Sequence, residues 1–470
     1  MWPGLILFFR LNFRLELLNS VDSLELQFRR DMRRLVLPSI LQMLIGNSFS
    51  LINTLMVGSM GDSAIAVMAA AGQVNFILGM ILSAIYGISA YITQFYGKND
   101  IVNVKKAFGL MLISSAAISL TAFILVSCFK VPILSLFIKD PAVAAYGVQY
   151  MSVIVFVYLI NSIKDVYGNA LGSIGKIKLM LGVGIIAMVV NVVLDYTLIY
   201  GKLGFPELGI VGAGWATLAS SMLSTIILIG YVYGKKYYVN VTLREIFSFN
   251  WPFVKRVYAT TLPLMFHEGM WSVGNMLYAL AFGHIGVAAL ATYQLANTFN
   301  GYFMMGIYGF AYAAKVMVGQ KLSQDDQNEA VLYARKFTRI ALYSSLAVSA
   351  GILLLSPYVP HLFPNLSQEV QSSFRHIMVI QAIVMVMFFL NNLWIVGLFR
   401  AGGDNLYTMN LVLVTTWLIA LPLVFAGAYL FHWPVEWVYL MFSLEEVSKA
   451  CIGFFRYRSN KWARNLVHNL

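Results

Sequence analysis

The chain reads as long apolar runs separated by short polar intervals. A helix that crosses a bilayer needs about 20 mostly apolar residues. Runs of that kind fall near 35–57, 66–95, 107–128, 144–163, 179–200, 211–233, 258–282, 287–314, 338–356, 376–398, 406–429 and 435–455. The second and eighth are long enough to tilt or to project past the bilayer. The pattern predicts an all-α integral membrane protein with twelve transmembrane helices in two pseudo-symmetric six-helix lobes. The expected parts are a cytoplasmic leader (1–34), an N-lobe (35–233), an inter-lobe linker (234–257), a C-lobe (258–455) and a basic tail (456–470).

The polar intervals carry a biased charge. With a cytoplasmic N-terminus, 28 of the 32 Lys and Arg residues fall on the inner side. Only Lys130, Lys139, Lys202 and Arg375 fall outside. Every inner segment then obeys the positive-inside rule, and a miscounted span would invert the bias downstream. The number of spans is therefore expected to be even, with both termini cytoplasmic in a cell membrane. The net charge of +12 becomes a topology signal instead of a nucleic-acid footprint. Composition agrees: 60% of residues are hydrophobic and 11% charged, against about 25% charged in soluble domains. Cys128 and Cys451 both lie in spans, so no disulfide framework or metal-ligand spacing is present.

Residues 1–34 admit two readings. They form an interfacial or loosely ordered leader, or the natural start is Met32. Trp2–Phe9 is apolar but too short to span.

The chain also repeats itself. Residues 38–71 align without gaps on 263–296, at a lag of 225, with Pro38 on Pro263. Farther on, "YGKND" (96–100) falls near "VGQKLSQDD" (318–326), and "LGSIGK" (171–176) falls on "FRAGGD" (399–404). Six spans separate each pair, so both halves enter the membrane in the same direction. Parallel repeats of this kind place a substrate site between the halves. The linker carries "TLREIF", which reads as a short amphipathic helix on the inner surface.

These segments resemble the multidrug and toxic compound extrusion (MATE) transporters. The resemblance rests on "LPSILQMLIGNSFSLINTLMVGSMGDSAIA" in span one and "GISAYITQFYGKND" at the end of span two. It rests further on "NVVLDYTLIYGKLGFPELGIVGAGWATLASS" across spans five and six, and on the terminal "FFRYRSNKW". It covers about residues 33–464. It implies a secondary antiporter that exports organic cations or xenobiotics in exchange for Na⁺ or H⁺ by alternating access.

Carboxylates inside apolar spans are costly and point to function. Glu268, in "LPLMFHEGMW" of span seven, has no basic neighbour in sequence. Burial without a cation would let it carry a proton, and the resemblance implies a role in cation coupling or substrate binding. Asp195 lies four residues after Asn191, on the same helix face. The resemblance implies an N-lobe cation site from Asn53, Asn191, Asp195 and Thr217. At Asn53 this chain departs from the family, which usually has an acid. An amide can offer Na⁺ an oxygen but cannot accept a proton. Asp195 or the C-lobe is left as the titrating group.

Gln42, Gln73, Tyr278, Gln294, Asn297, Asn391, Asn392 and Trp394 are candidates to line a cavity for flat amphipathic cations; interhelical hydrogen bonding is the other reading. Pro38 and Pro263 either bend their helices or open them in the first turn. His267 is expected to pack. Glu445 and Glu446 are expected to pair with Lys449 or Arg456 at the inner side.

No Walker lysine motif, nucleotide fingerprint or hydrolase triad spacing occurs, so ATP-driven transport and enzymatic activity are not expected. No resident metal or cofactor is expected beyond a transient coupling ion, Na⁺ or H⁺. The expected partners are small amphipathic cations and the lipid bilayer, with no nucleic acid, and the chain is expected to act as a monomer. The rivals are a flippase for lipid-linked precursors and a metabolite porter. The flippase is disfavoured because the spans show no central Lys or Arg. The porter is disfavoured because its usual basic loop after span two is missing.

Overall fold

A computed structural model of the chain describes residues 3–60, 62–135, 138, 140–324, 327–359 and 367–467. Gly61 of the repeat, Lys139 of the charge tally, Asp325 and Asp326, and the ends of the leader and tail lie outside the described residues. Among the described residues the fold is helical and contains no strand.

The first half runs through α1 (Pro3–Gly58), α2 (Asp62–Ile85), a 3₁₀ turn, α3 (Ser89–Gly97), α4 (Ile101–Ser135), α5 (Pro141–Ser173), α6 (Ile177–Ile199) and α7 (Ile210–Gly234). The linker holds the single-turn α8 (Leu243–Ile246). The second half runs through α9 (Trp251–Ile285), α10 (Val287–Ser323), α11 (Gln327–Leu355), α12 (Gln368–Asn392), α13 (Asn405–Val412), α14 (Leu421–Phe425) and α15 (Val435–Arg458). A π-helical turn, Leu393–Phe399, extends α12, and two more, Leu413–Ala420 and Ala426–Leu430, follow α13 and α14.

Local chemistry sets the helix starts. Asp140 accepts a hydrogen bond from Ala142 N at 2.8 Å ahead of Pro141, which needs no donor in the first turn. Asn250 caps α9 through Phe253 N at 3.1 Å. Thr242 and Glu245 close a reciprocal capping box on α8.

Eight segments among the described residues are long and apolar enough to cross a membrane. The long helices α9, α10 and α15 fall short of that standard. They carry His267, Glu268, Asn297, Asn300, Glu445, Glu446 and Lys449, which line a cavity. A helix that lines a polar interior cannot be apolar all round.

The leader differs from its expectation. It continues into the first span as one helix, α1. Phe28 is buried and packs edge-on against Tyr333 and Phe337 of α11, and Glu25 pairs with Lys336. Pro38 therefore lies deep inside α1, and Pro263 lies inside α9, which starts at Trp251. Neither opens a helix.

The buried apolar residues segregate by chain half. One cluster is built mainly from residues 278–463, and two others mainly from residues 57–257. The repeat is visible in one turn. Gly175 and Gly403, matched in the internal alignment, both take positive φ, 76° and 66°. Each turn closes in the same way: Lys176 N donates to Leu171 O at 2.8 Å, and Asp404 N to Phe399 O at 2.9 Å. This is the glycine-terminated helix end that L side chains disfavour.

The halves meet at the end that carries the basic loops. Lys315 Nζ donates to Ser89 Oγ at 2.9 Å, and the Tyr91 and Thr260 hydroxyls lie 2.7 Å apart. Gln94 is fully buried. Its Nε2 donates to Ala401 O at 2.8 Å and to Arg464 O at 3.2 Å, and its Oε1 accepts from Leu466 N at 2.7 Å. At Gly309 of α10 a Cβ would lie 2.7 Å from the backbone nitrogen of Ile40, so α1 and α10 touch through a missing side chain.

Candidate functional site

Among the described residues, each half of the chain holds a cavity. The C-terminal cavity, of about 370 Å³, is lined from α9, α10, the end of α12 and α15. Helix α9 presents His267 and Glu268, and α15 presents Glu445, Glu446 and Lys449. Glu445 and Lys449 are four residues apart and share a face.

The charges there are paired. Arg400 Nη2 lies 2.6 Å from Glu268 Oε1, and His267 Nδ1 lies 3.5 Å from the same oxygen. The π-helical turn ends just before Arg400, and its wider coil brings that residue to the cavity wall. Lys449 Nζ donates to Glu445 Oε1 at 2.5 Å and to Glu446 Oε1 at 2.8 Å. Glu445 also accepts from Tyr278 Oη at 2.5 Å and from Thr416 Oγ1 at 2.7 Å. Glu446 Oε2 accepts from Asn391 Nδ2 at 2.8 Å. A buried charge needs such partners, because removing one strands the other in low dielectric.

Two expectations change here. Glu268 does have a basic neighbour, 132 residues along the chain. Arg400 and Lys449 both line the cavity, so the spans do carry interior cations. Glu445 and Glu446 pair with Lys449 as expected, but within the cavity. Arg456 instead grips Asp404 through two contacts, of 2.7 and 2.9 Å.

The N-terminal half brings together Asn53, Asn191, Asp195 and Thr217. Asn191 and Asp195 are fully buried, and Asn53 nearly so. With the Asn191 amide oriented to satisfy its neighbours, its Nδ2 donates to Asn53 Oδ1 and to Asp195 Oδ2, both at 2.8 Å, and its oxygen accepts from Thr217 N at 3.3 Å. Asp195 Oδ1 is buried without a hydrogen-bond partner. The cluster is rich in oxygen and holds one carboxylate. Thr217 also lines the adjoining cavity of about 310 Å³, together with Gln42, Asn161, Lys164, Asp165 and Ser220.

The proposed cavity residues divide. Asn297, Asn391 and Asn392 line the C-terminal cavity, and Gln42 lines the N-terminal one. Tyr278 sits behind the wall and reaches it through Glu445. Trp394 is packed away from the cavity: its ring stacks on Tyr457 at 5.1 Å and its Nε1 donates to Thr338 Oγ1 at 3.3 Å. Gln73 and Gln294 are exposed and line neither cavity. Sequence reasoning passed over Arg400, Lys449, Asn275 and Asn300 as lining residues. For Lys449 the signal was present, as two acids three and four residues before a lysine inside a span.

Comparison with known proteins agrees with the helical architecture. The MatE family model matches residues 38–197 and 263–449. The matched stretches begin at Pro38 and Pro263, the pair on which the internal alignment starts. The multidrug resistance protein MdtK of Yersinia pseudotuberculosis is 23% identical over 409 residues, spanning 84% of this chain and 86% of that protein. A MATE crystal structure in the bent conformation superposes with a TM-score of 0.83 at 20% identity, covering 92% of this chain and 95% of that one. A MOP superfamily transporter from Pyrococcus furiosus, described as having a binding pocket of reverse polarity, superposes with a TM-score of 0.81 at 20% identity, covering 92% and 95%. The chain belongs to the MATE family and is a multi-pass membrane transporter.

Proposed function

We propose that the chain is a secondary active antiporter. It exports amphipathic organic cations from the cell in exchange for inward Na⁺ or H⁺. Twelve spans form two six-helix lobes that rock about the two cavities, with both termini cytoplasmic. The observation that carries this reading is the C-terminal cavity, where two buried carboxylates, Glu445 and Glu446, and the partly buried Glu268 line one space of about 370 Å³. MdtK, named for multidrug resistance, supports the substrate class. The oxygen-rich cluster of Asn53, Asn191, Asp195 and Thr217 suits Na⁺, a hard cation that prefers oxygen ligands. Because Asn53 cannot take a proton, proton coupling through that cluster would rest on Asp195. Glu268 is the C-terminal candidate for coupling.

The test is uptake and efflux of a fluorescent monocation in proteoliposomes under separate Na⁺ and pH gradients. Gradient-driven movement supports antiport. No movement of any member of a broad cation panel refutes it.

A second reading has its own observation. Arg400 and Lys449 place two cations in the cavity wall, and these suit a solute with an anionic group, such as a lipid-linked precursor or an acidic metabolite. The Pyrococcus furiosus transporter with reversed pocket polarity makes the comparison relevant. Competition of an anionic amphiphile against the monocation would favour this reading.

A further inference from the structure

The ionisable groups lining the C-terminal cavity have a definite balance. Three are acids, Glu268, Glu445 and Glu446, and two are bases, Arg400 and Lys449. With His267 neutral, three negative and two positive charges leave −1. Lys449 is the base that sets this value. It is 5% exposed and bridges both α15 carboxylates, at 2.5 and 2.8 Å. Without it the same wall would hold −2.

An unneutralised charge in such a site is expensive, and interactions across a few ångströms of low dielectric are far stronger than in water. A wall of −1 is neutralised by one monovalent charge, and a wall of −2 by two. We infer that Lys449 is a specificity-determining residue that limits this cavity to a single positive charge, so it takes a monocationic amphiphile in preference to a dicationic one. The inference rests on the cation-transport reading above. Lys449 acts as a tethered competitor: it occupies one carboxylate equivalent and leaves one free. Glu268, which also lines the cavity, makes its contacts to Arg400 and His267 through Oε1.

Ethidium and propidium test this, because they share one aromatic ring system and carry one and two positive charges. Binding of each to the purified full chain is followed by fluorescence anisotropy. The wild type should prefer ethidium. Lys449→Met, at −2, should reverse the ranking, with the affinity ratio changing by at least about tenfold. Lys449→Arg should keep the wild-type ranking. Glu446→Gln, at zero, should weaken ethidium. The double variant Glu446→Gln/Lys449→Met returns the wall to −1 and should restore the preference for ethidium.

A purely structural role for Lys449 predicts the opposite in the double variant, which would then bind worse than either single change. That outcome overturns the inference. So does an unchanged ranking in Lys449→Met. Should Lys449→Met fail to fold, the double variant against Glu446→Gln carries the same test, since only charge balance predicts recovery of ethidium binding. A wild type that binds neither dye refutes the cation reading itself. A wild type that binds ethidium, with no charge-dependent ranking among the variants, refutes only the role of Lys449.

Discussion

Gln94 holds the two halves together at the basic end, so its replacement should release them. Gln94→Leu keeps the volume and removes three hydrogen bonds, at 2.8, 3.2 and 2.7 Å, to Ala401, Arg464 and Leu466. Each net bond contributes about 0.5–1.5 kcal/mol. The sum is about 1.5–4.5 kcal/mol, and all of it bears on the contact between halves. About 3 kcal/mol corresponds to a shift of more than 100-fold in a two-state opening equilibrium. Ser173 reports on that opening, because it is 2% exposed and its carbonyl accepts from Gln320 Nε2 across the contact. A chain with Cys128 and Cys451 replaced and a single cysteine at position 173 can be labelled with a maleimide in detergent. Gln94→Leu should raise the labelling rate by at least about tenfold. An unchanged rate in a protein that elutes and melts like its parent would refute the idea that this contact closes the basic end.

Three further outcomes follow from the same geometry. Gly309→Val should also raise labelling at position 173, because its side chain would press on the backbone of Ile40 and force α1 from α10. Asp404→Asn should lower thermal stability by about 2–4 kcal/mol, read as a fall in melting temperature, because it weakens the paired contacts that hold Arg456. At the surface, the hydrogen bond from Lys105 and the Thr242 backbone amide hold the Glu245 carboxyl below its ordinary 4.5. A depressed carboxylate stabilises above its unfolded value and loses that contribution as pH falls through its folded one. The melting-temperature gap between wild type and Glu245→Gln should therefore be present at pH 7 and shrink as pH falls below the ordinary carboxylate range. The half-exposed setting keeps it under about 1 kcal/mol.

Much of the helical plan was legible from the chain alone, for a physical reason. Apolar runs and basic loops are imposed by the bilayer and need no tertiary information. The matched Pro38 and Pro263, and the matched Gly175 and Gly403, are likewise local. Asn191 and Asp195 could be paired because four residues on a helix fix a shared face. What could not be read was pairing across distance. Arg400 sits just past an apolar run, so in one dimension it counts as a loop cation. Only the fold, which brings the end of the π-helical turn after α12 to the cavity wall, places it beside Glu268. The matching position in the first half is Gly172, so the repeat gave no warning of a cation there. Lys449 was misplaced because it lies near the end of its run, where a lysine can reach the membrane surface. Trp394 was read for its aromatic face, yet its indole N–H finds Thr338 and its ring finds Tyr457, which draws it into the packing between helices.

In the proposed antiport, an inward cation gradient drives export through the Glu268 and Asp195 sites. Its most direct measurement is monocation transport in proteoliposomes under imposed Na⁺ or pH gradients, for wild type, Glu268→Gln and Asp195→Asn. Antiport requires gradient-dependent transport by the wild type and its loss in at least one variant that still folds. Wild-type transport that needs neither gradient, or that survives both substitutions unchanged, would contradict it.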